Sequence, residues 1–212
     1  MNVLAVGAHH DDIEIGCAGT IAKLKKHGNR VYGIILTNSE THFGAMNIHR
    51  TAVEAEREAI KASAEIGLEL CEMNYPKVDN GMLVYDINLM REIEKFIFDN
   101  DIELILTHWR YDMNTDHETA SKISIVAARH VHNIFMYQSN WYQPDRAFNG
   151  IAFSDISDFM EQKKQSLNQY KIEIQNRGKD WINSFIDRNR SYGFSIGVKY
   201  AEVFEAVRYI IR

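Results

Sequence analysis

The run AVGAHHDDIEIGCAG, residues 5–19, decides how the rest of the chain is read. Asn2–Ala8 is short and mostly apolar, the mark of a buried strand. His9, His10, Asp11, Asp12 and Glu14 follow it at once, five titratable groups within six positions. A single glycine would make a turn there, so this charge density needs another reason.

Working outward, apolar strands alternate with amphipathic helices. GTIAKLKKHG, residues 19–28, predicts a helix stopped by Gly28. A second strand is expected over 30–37, a helix over 48–66 and a third strand over 68–75, cut off by Pro76. A helix over 87–100, a strand over 102–107, a helix over 117–131 and a strand over 133–138 follow. Strands apolar along their whole length, separated by helices, predict a mostly parallel central sheet covered on both faces, a Rossmann-like three-layer α/β fold. The chain reads as a single domain over 1–212: an α/β core over 1–140, then an extension over 141–212. In that extension a strand near 151–156, a polar helix over 158–176 and a final strand or packed segment over 199–212 are expected.

Bulk properties narrow the function. The chain has 212 residues and a formal charge of −5, which speaks against broad nucleic-acid binding. Two distant cysteines, Cys17 and Cys71, suggest a reducing compartment. No basic leader or long apolar run is seen, so a soluble, cytoplasmic protein without membrane insertion is expected.

In open α/β sheets, ligands bind at the carboxyl ends of strands where the strand order reverses. The first cluster sits at such an end. It lacks GxGxxG spacing and would set Asp11, Asp12 and Glu14 against a diphosphate. Carboxylates and imidazoles together attract a cation instead. A second cluster, THWRYDMNTDHETAS at 107–121, holds His108, Asp112, Asp116 and His117 after the fourth expected strand. If that strand neighbours the first, both clusters reach one crevice. Two imidazoles and one carboxylate with a position left for water is the pattern of catalytic zinc, and a spare carboxylate can act as general base. Singly, each residue reads as a helix cap or a core group. Together they favour a metal site.

AHHDDIEIGCAGTIA resembles the AHPDDExxxGxGGT signature of the PIG-L/LmbE-like zinc-dependent N-deacetylases, and the second cluster looks like that family's HPDH-type motif. FSDIS at 153–157, Lys163 and KYAEVF at 199–204 extend the resemblance over nearly the whole chain. It implies one zinc ion per chain held by His9, Asp12 and His117, with Asp11 as general base. It also implies a hydrolase that removes an acetyl group from an N-acetylated amino sugar carried on a larger conjugate. His10 stands where the family has Pro, as a surface substitution or a substrate contact. Asn114 stands where the family often has an oxyanion-stabilising His; an amide can donate there but carries no charge, and His108 or His42 are alternatives.

Arg50, in the loop over 37–50, is a substrate-binding candidate with His10, His42 and His108. Trp109, Trp141 and Tyr142 are read first as core. The expected partner is a small N-acetyl sugar, with room for homo-oligomerisation. A phosphoesterase-like hydrolase, using a second metal at Asp112 and Asp116, and a noncatalytic metal-stabilised binding protein are the rival readings.

Overall fold

β1, Asn2–Gly7, is buried from Val3 to Gly7. Its side chains alternate between two cores, as a period of two requires. Val3 and Ala5 enter one core with Ile13, Ile21 and Leu104; Leu4 and Val6 enter the other with Ile93, Ile105 and Ile123. The computed structural model of the chain describes residues 1–44 and 48–210. The expected loop over 37–50 and the expected terminal strand over 199–212 therefore fall partly outside the described residues.

The elements that follow are α1 (Asp12–Lys26), β2 (Arg30–Ile35), β3 (Thr41–Phe43), β4 (Ile48–Arg50), α2 (Ala52–Ile66) and β5 (Glu69–Leu70). Next come α3 (Ile87–Asp99), β6 (Ile102–His108), α4 (Thr115–Ala127), β7 (Asn133–Tyr137) and β8 (Ala152–Asp155). A 3-10 turn at Ser157–Phe159, α5 (Met160–Leu167), α6 (Lys171–Arg177), α7 (Asp180–Ser195) and β9 (Ala201–Arg208) complete the chain.

Seven strands form one sheet in the order β5-β2-β1-β6-β7-β9-β8. β1 pairs parallel with both β2 and β6, so the order reverses between β1 and β6 as a nucleotide-binding-like sheet does. β9 runs antiparallel between β7 and β8, which ties the last part of the chain into the same sheet. The mostly parallel, three-layer α/β architecture is the one the sequence predicts.

Several boundaries differ from expectation. The turn after β1 ends at Asp11, and α1 begins at Asp12 rather than near Gly19. Gly16 and Gly19 mask this helix in the sequence, yet packing requires them. A Cβ on Gly16 would lie 2.1 Å from Tyr137 Cδ2, and one on Gly19 would lie 2.8 Å from Ile156. Residues 48–50 are a strand paired with β3, not helix; α2 starts after Thr51, whose hydroxyl accepts from Glu54 N in a capping box. The expected strand over 68–75 shrinks to Glu69–Leu70. The expected helix over 158–176 is broken into the 3-10 turn, α5 and α6, and α7 was not anticipated.

Candidate metal centre

The short link between β1 and α1 and the link between β6 and α4 meet at the carboxyl ends of adjacent parallel strands. They open into a cavity of about 150 Å³ whose lining includes His9, Asp11, Asp12, Asn114 and His117. Three donors converge there. His9 Nδ1 lies 3.1 Å from His117 Nε2 and 3.4 Å from Asp12 Oδ2. His117 Nε2 lies 3.2 Å from Asp12 Oδ1. Among the described residues, these three form the one group of three or more His, Cys, Asp or Glu with donor atoms all within 4.8 Å.

The donor set fits a tetrahedral ion. Zinc bonds of 2.0–2.1 Å at tetrahedral angles set neighbouring donors about 3.3 Å apart, close to the three separations found. The far nitrogen of each ring faces a carboxylate. His9 Nε2 bonds Asp116 Oδ2 at 2.9 Å, which fixes its N–H on that side and aims the Nδ1 lone pair at the cluster. His117 Nδ1 lies 3.3 Å from Asp112 Oδ2, an ion-pair distance. Such carboxylate backing orients imidazole ligands and raises their basicity. Two ring lone pairs facing each other at 3.1 Å need a positive charge between them, either a proton or a metal ion.

The charges follow the same geometry. Burial opposes charge on His9, but hydrogen bonds to Asp116 and Asp12 outweigh it and raise its pKa to about 9. Burial likewise opposes charge on His117, and Asp12 and Asp112 raise it to about 10. Asp12, though buried, is held well below the usual carboxylate range by His117 and His108. Its place in the first turn of α1 also favours negative charge.

Asp11 differs from its neighbour in every respect. Its backbone has φ 138°, a region that costs an L-residue of order 1–3 kcal/mol. It occupies the cap position of α1 without making a side-chain cap hydrogen bond. Burial and the adjacent Asp12 push its pKa well above the usual carboxylate range. Strain and a perturbed pKa at one residue beside the converging donors mark Asp11 as a candidate functional carboxylate.

Asn114 caps α4, its side-chain oxygen accepting from Asp116 N at 2.9 Å and His117 N at 3.4 Å. Its Nδ2 has no hydrogen-bond partner among the described residues, and the residue lines the cavity. Arg50 also lines the cavity, bound to Glu173 Oε1 at 3.0 Å and to the His10 carbonyl at 2.9 Å.

Three expected substrate contacts lie elsewhere. His10 is buried with its ring 2.7 Å from Ser39 Oγ, and its pKa is lowered to about 3 by burial and nearby cations. His108 is fully buried beneath the cluster, stacked on His117 at 4.1 Å between ring centroids. Its Nε2 accepts the Ala8 N–H at 2.9 Å. His42 is exposed on the β3–β4 hairpin with its ring against His49. Of the described residues lining the cavity, none of these three is a member. Trp109 is buried as expected, but Trp141 and Tyr142 are 44% and 55% exposed and line the cavity, against their reading as core.

Sequence reasoning missed a support layer from beyond residue 137. Asn140 Nδ2 bonds Asp112 Oδ1 at 2.9 Å, and Glu173 bridges Arg50 and Arg177. No local pattern marks these residues, because only the folded sheet brings them to the crevice.

A parallel α/β sheet with two imidazoles and a carboxylate at its switch point defines the class. The family model of PIG-L, GlcNAc-PI de-N-acetylase, matches residues 4–128, and the chain belongs to that family. It is 29% identical over 178 residues to YaiS of Escherichia coli (strain K12), described as an uncharacterized deacetylase; the match covers 80% of this chain and 90% of YaiS. The fold is similar to that of N,N'-diacetylchitobiose deacetylase from Pyrococcus horikoshii, with TM-score 0.80, 19% identity and 97% and 83% of the two chains covered. It is also similar to GalB, the 4-carboxy-2-hydroxymuconate hydratase of Pseudomonas putida KT2440, with TM-score 0.78, 17% identity and 100% and 98% covered. One fold thus carries different chemistries, and the activity has to be argued from the site.

Proposed function

We propose that the chain is a metal-dependent N-deacetylase that hydrolyses the acetamide of an N-acetylated amino sugar conjugate. One zinc ion would be held by His9, Asp12 and His117. The observation that carries this reading is the convergence of His9 Nδ1, His117 Nε2 and the two carboxylate oxygens of Asp12 at 3.1 to 3.4 Å, open to a cavity and flanked by Asp11. Zinc supplies Lewis acidity, bringing the pKa of water toward about 7 and polarising an amide carbonyl.

The chain's own residues do the rest. Asp11 accepts a proton on its carboxylate from the attacking water and passes it to the leaving nitrogen. The carbon–oxygen bond forms, the carbon–nitrogen bond breaks, and acetate and a free amine result. A raised pKa suits Asp11 to both halves of that transfer. Asn114, its oxygen committed to the α4 cap, offers its Nδ2 hydrogens to the developing oxyanion. Arg50, which lines the same cavity, meets the sugar or its carrier.

The engagement of Asp112 and Asp116 with the two imidazoles favours one ion over the two of a phosphoesterase-like site. The open cavity beside Asp11 favours catalysis over a closed structural site. We read residues 1–212 as one functional unit, because β9 completes the sheet and Asn140 and Glu173 complete the cavity. A cytoplasmic setting accords with two free cysteines. Among the described residues, no helix is long and apolar enough to cross a membrane.

The test is acetate release from a panel of N-acetylated sugars and sugar conjugates by zinc-loaded protein. We expect release that a chelator abolishes. Asp11→Asn should lower it about 10²- to 10⁴-fold with zinc content unchanged. Absence of acetate from every substrate class, or full activity in Asp11→Asn, would refute the assignment.

A further inference from the structure

Helix α1 is not continuous. Cys17 departs from helical geometry, at φ −149° and ψ 18°. It separates a first turn carrying Asp12 and Ile15 from residues 18–26. Kinks of this kind form where a foreign group enters the i→i−4 ladder. Here the group is an ion pair drawn from far along the chain. Lys163 of α5 donates from Nζ to the Ile15 carbonyl at 2.8 Å. Glu202 of β9 accepts from Gly19 N at 3.0 Å through Oε1. Its Oε2 accepts from Thr20 N at 2.7 Å and Thr20 Oγ1 at 2.6 Å. Lys163 Nζ and Glu202 Oε1 meet at 2.6 Å.

The Ile15 carbonyl and the Gly19 N–H are the two ends of a single helical rung. The ion pair therefore grips both sides of the kink at once. Both charged side chains have no exposure at all. A buried ion pair is a poor way to gain stability, since apolar groups of similar volume often serve as well or better. A plain helix would also satisfy these backbone groups unaided. The expense has to be justified by geometry, and the geometry it controls is that of the first turn. That turn begins with Asp12, 3.2 Å from His117 Nε2, and its Ile15 lines the cavity.

We propose that the Lys163–Glu202 ion pair is a positioning device for the metal centre, setting the kink in α1 and thereby the distance at which Asp12 faces His9 and His117. The proposal rests on the reading of those three residues as metal-holding. It gives the last third of the chain, beyond the stretch matched by the family model, a direct part in building the site.

The test uses the double variant Lys163→Met with Glu202→Gln, which removes both charges together and strands neither. Co²⁺ is the probe. Its affinity is measured by titration, and its coordination by the visible absorption of the loaded protein; the melting of the metal-free protein is followed separately. We expect a cooperative melt, Co²⁺ affinity about 10- to 100-fold weaker, and an altered absorption spectrum. Affinity and spectrum equal to those of the unaltered protein, with only the melting temperature moved, would overturn the proposal and leave a simple structural staple. If the double variant fails to fold, Glu202→Asp keeps both charges but shortens the reach by one methylene, and carries the same expectation and the same refutation. Unaltered protein that binds no Co²⁺ overturns the metal reading itself, a result visible before any variant is made.

Discussion

Adding Zn²⁺ to the metal-free protein should release protons, and their number follows from how the two imidazoles meet. His9 Nδ1 and His117 Nε2 stand 3.1 Å apart, with Asp12, Asp112 and Asp116 around them. These carboxylates raise His9 to about 9 and His117 to about 10, from an ordinary 6.5. A nitrogen–nitrogen contact of that length holds one hydrogen, not two. At pH 7.5 the pair therefore carries one extra proton as a unit. An ion bound by the same two nitrogens displaces it. Burial beside Asp12 raises the pKa of Asp11, so any proton it carries is drawn off as cationic charge arrives. Each coupled proton makes affinity rise tenfold per pH unit, about 1.4 kcal/mol.

Calorimetry at pH 7.5 in buffers of different ionisation enthalpy counts the protons directly. We expect at least one per ion, and fewer in Asp11→Asn than in the unaltered protein. No release, together with an affinity that stays flat from pH 6.5 to 8.5, would refute the reasoning. The same protonation bears on stability without metal. Because the folded-state values lie above the unfolded 6.5, the contribution is complete below pH 6.5. It is lost as the shared proton leaves between about pH 9 and about 10, so the metal-free protein should weaken in alkaline solution.

Three further outcomes follow from particular contacts. Asp116→Asn removes the charge that orients His9 and should weaken zinc binding about 10- to 100-fold; unaltered affinity by titration would count against carboxylate backing. Gly16→Ala forces a Cβ to within 2.1 Å of Tyr137 Cδ2, a ring anchored by its hydroxyl to the Val6 carbonyl at 2.7 Å. We expect a loss of about 1–3 kcal/mol in urea denaturation, and an unmoved midpoint would mean that the ring yields freely. Asn114→Ala should cost about 1 kcal/mol of stability through the lost α4 cap. It should also lower kcat about 10²- to 10³-fold, with little change in KM; a pure KM effect would remove Asn114 from the chemistry.

The sheet was legible because Val3, Ala5, Leu4 and Val6 are apolar on both faces, a pattern only a covered sheet tolerates. The cluster of His9, Asp12 and His117 was legible because like residues recur at two strand ends that a parallel sheet makes neighbours. The start of α1 was hidden by Gly16 and Gly19, whose local cost in a helix is outweighed by the close approach of Tyr137 and Ile156. Nor could residue spacing, without the resemblance, rank the histidines. His10 and His108 look as functional as His9 until the fold turns one toward Ser39 and buries the other under His117. Asn140 and Glu173 lay beyond any local pattern, since the Asp112 and Arg50 they bind are 28 and 123 residues away. Lys163 and the stretch around Glu202 carry the resemblance, but their grip on α1 spans 148 and 183 residues.

X-ray absorption on the zinc-loaded protein reads the centre most directly. We expect two imidazole nitrogens and oxygen donors at about 2.0–2.2 Å, falling to one imidazole in either His9→Ala or His117→Ala. An unchanged imidazole count in both variants would put the ion somewhere else and contradict the proposed site.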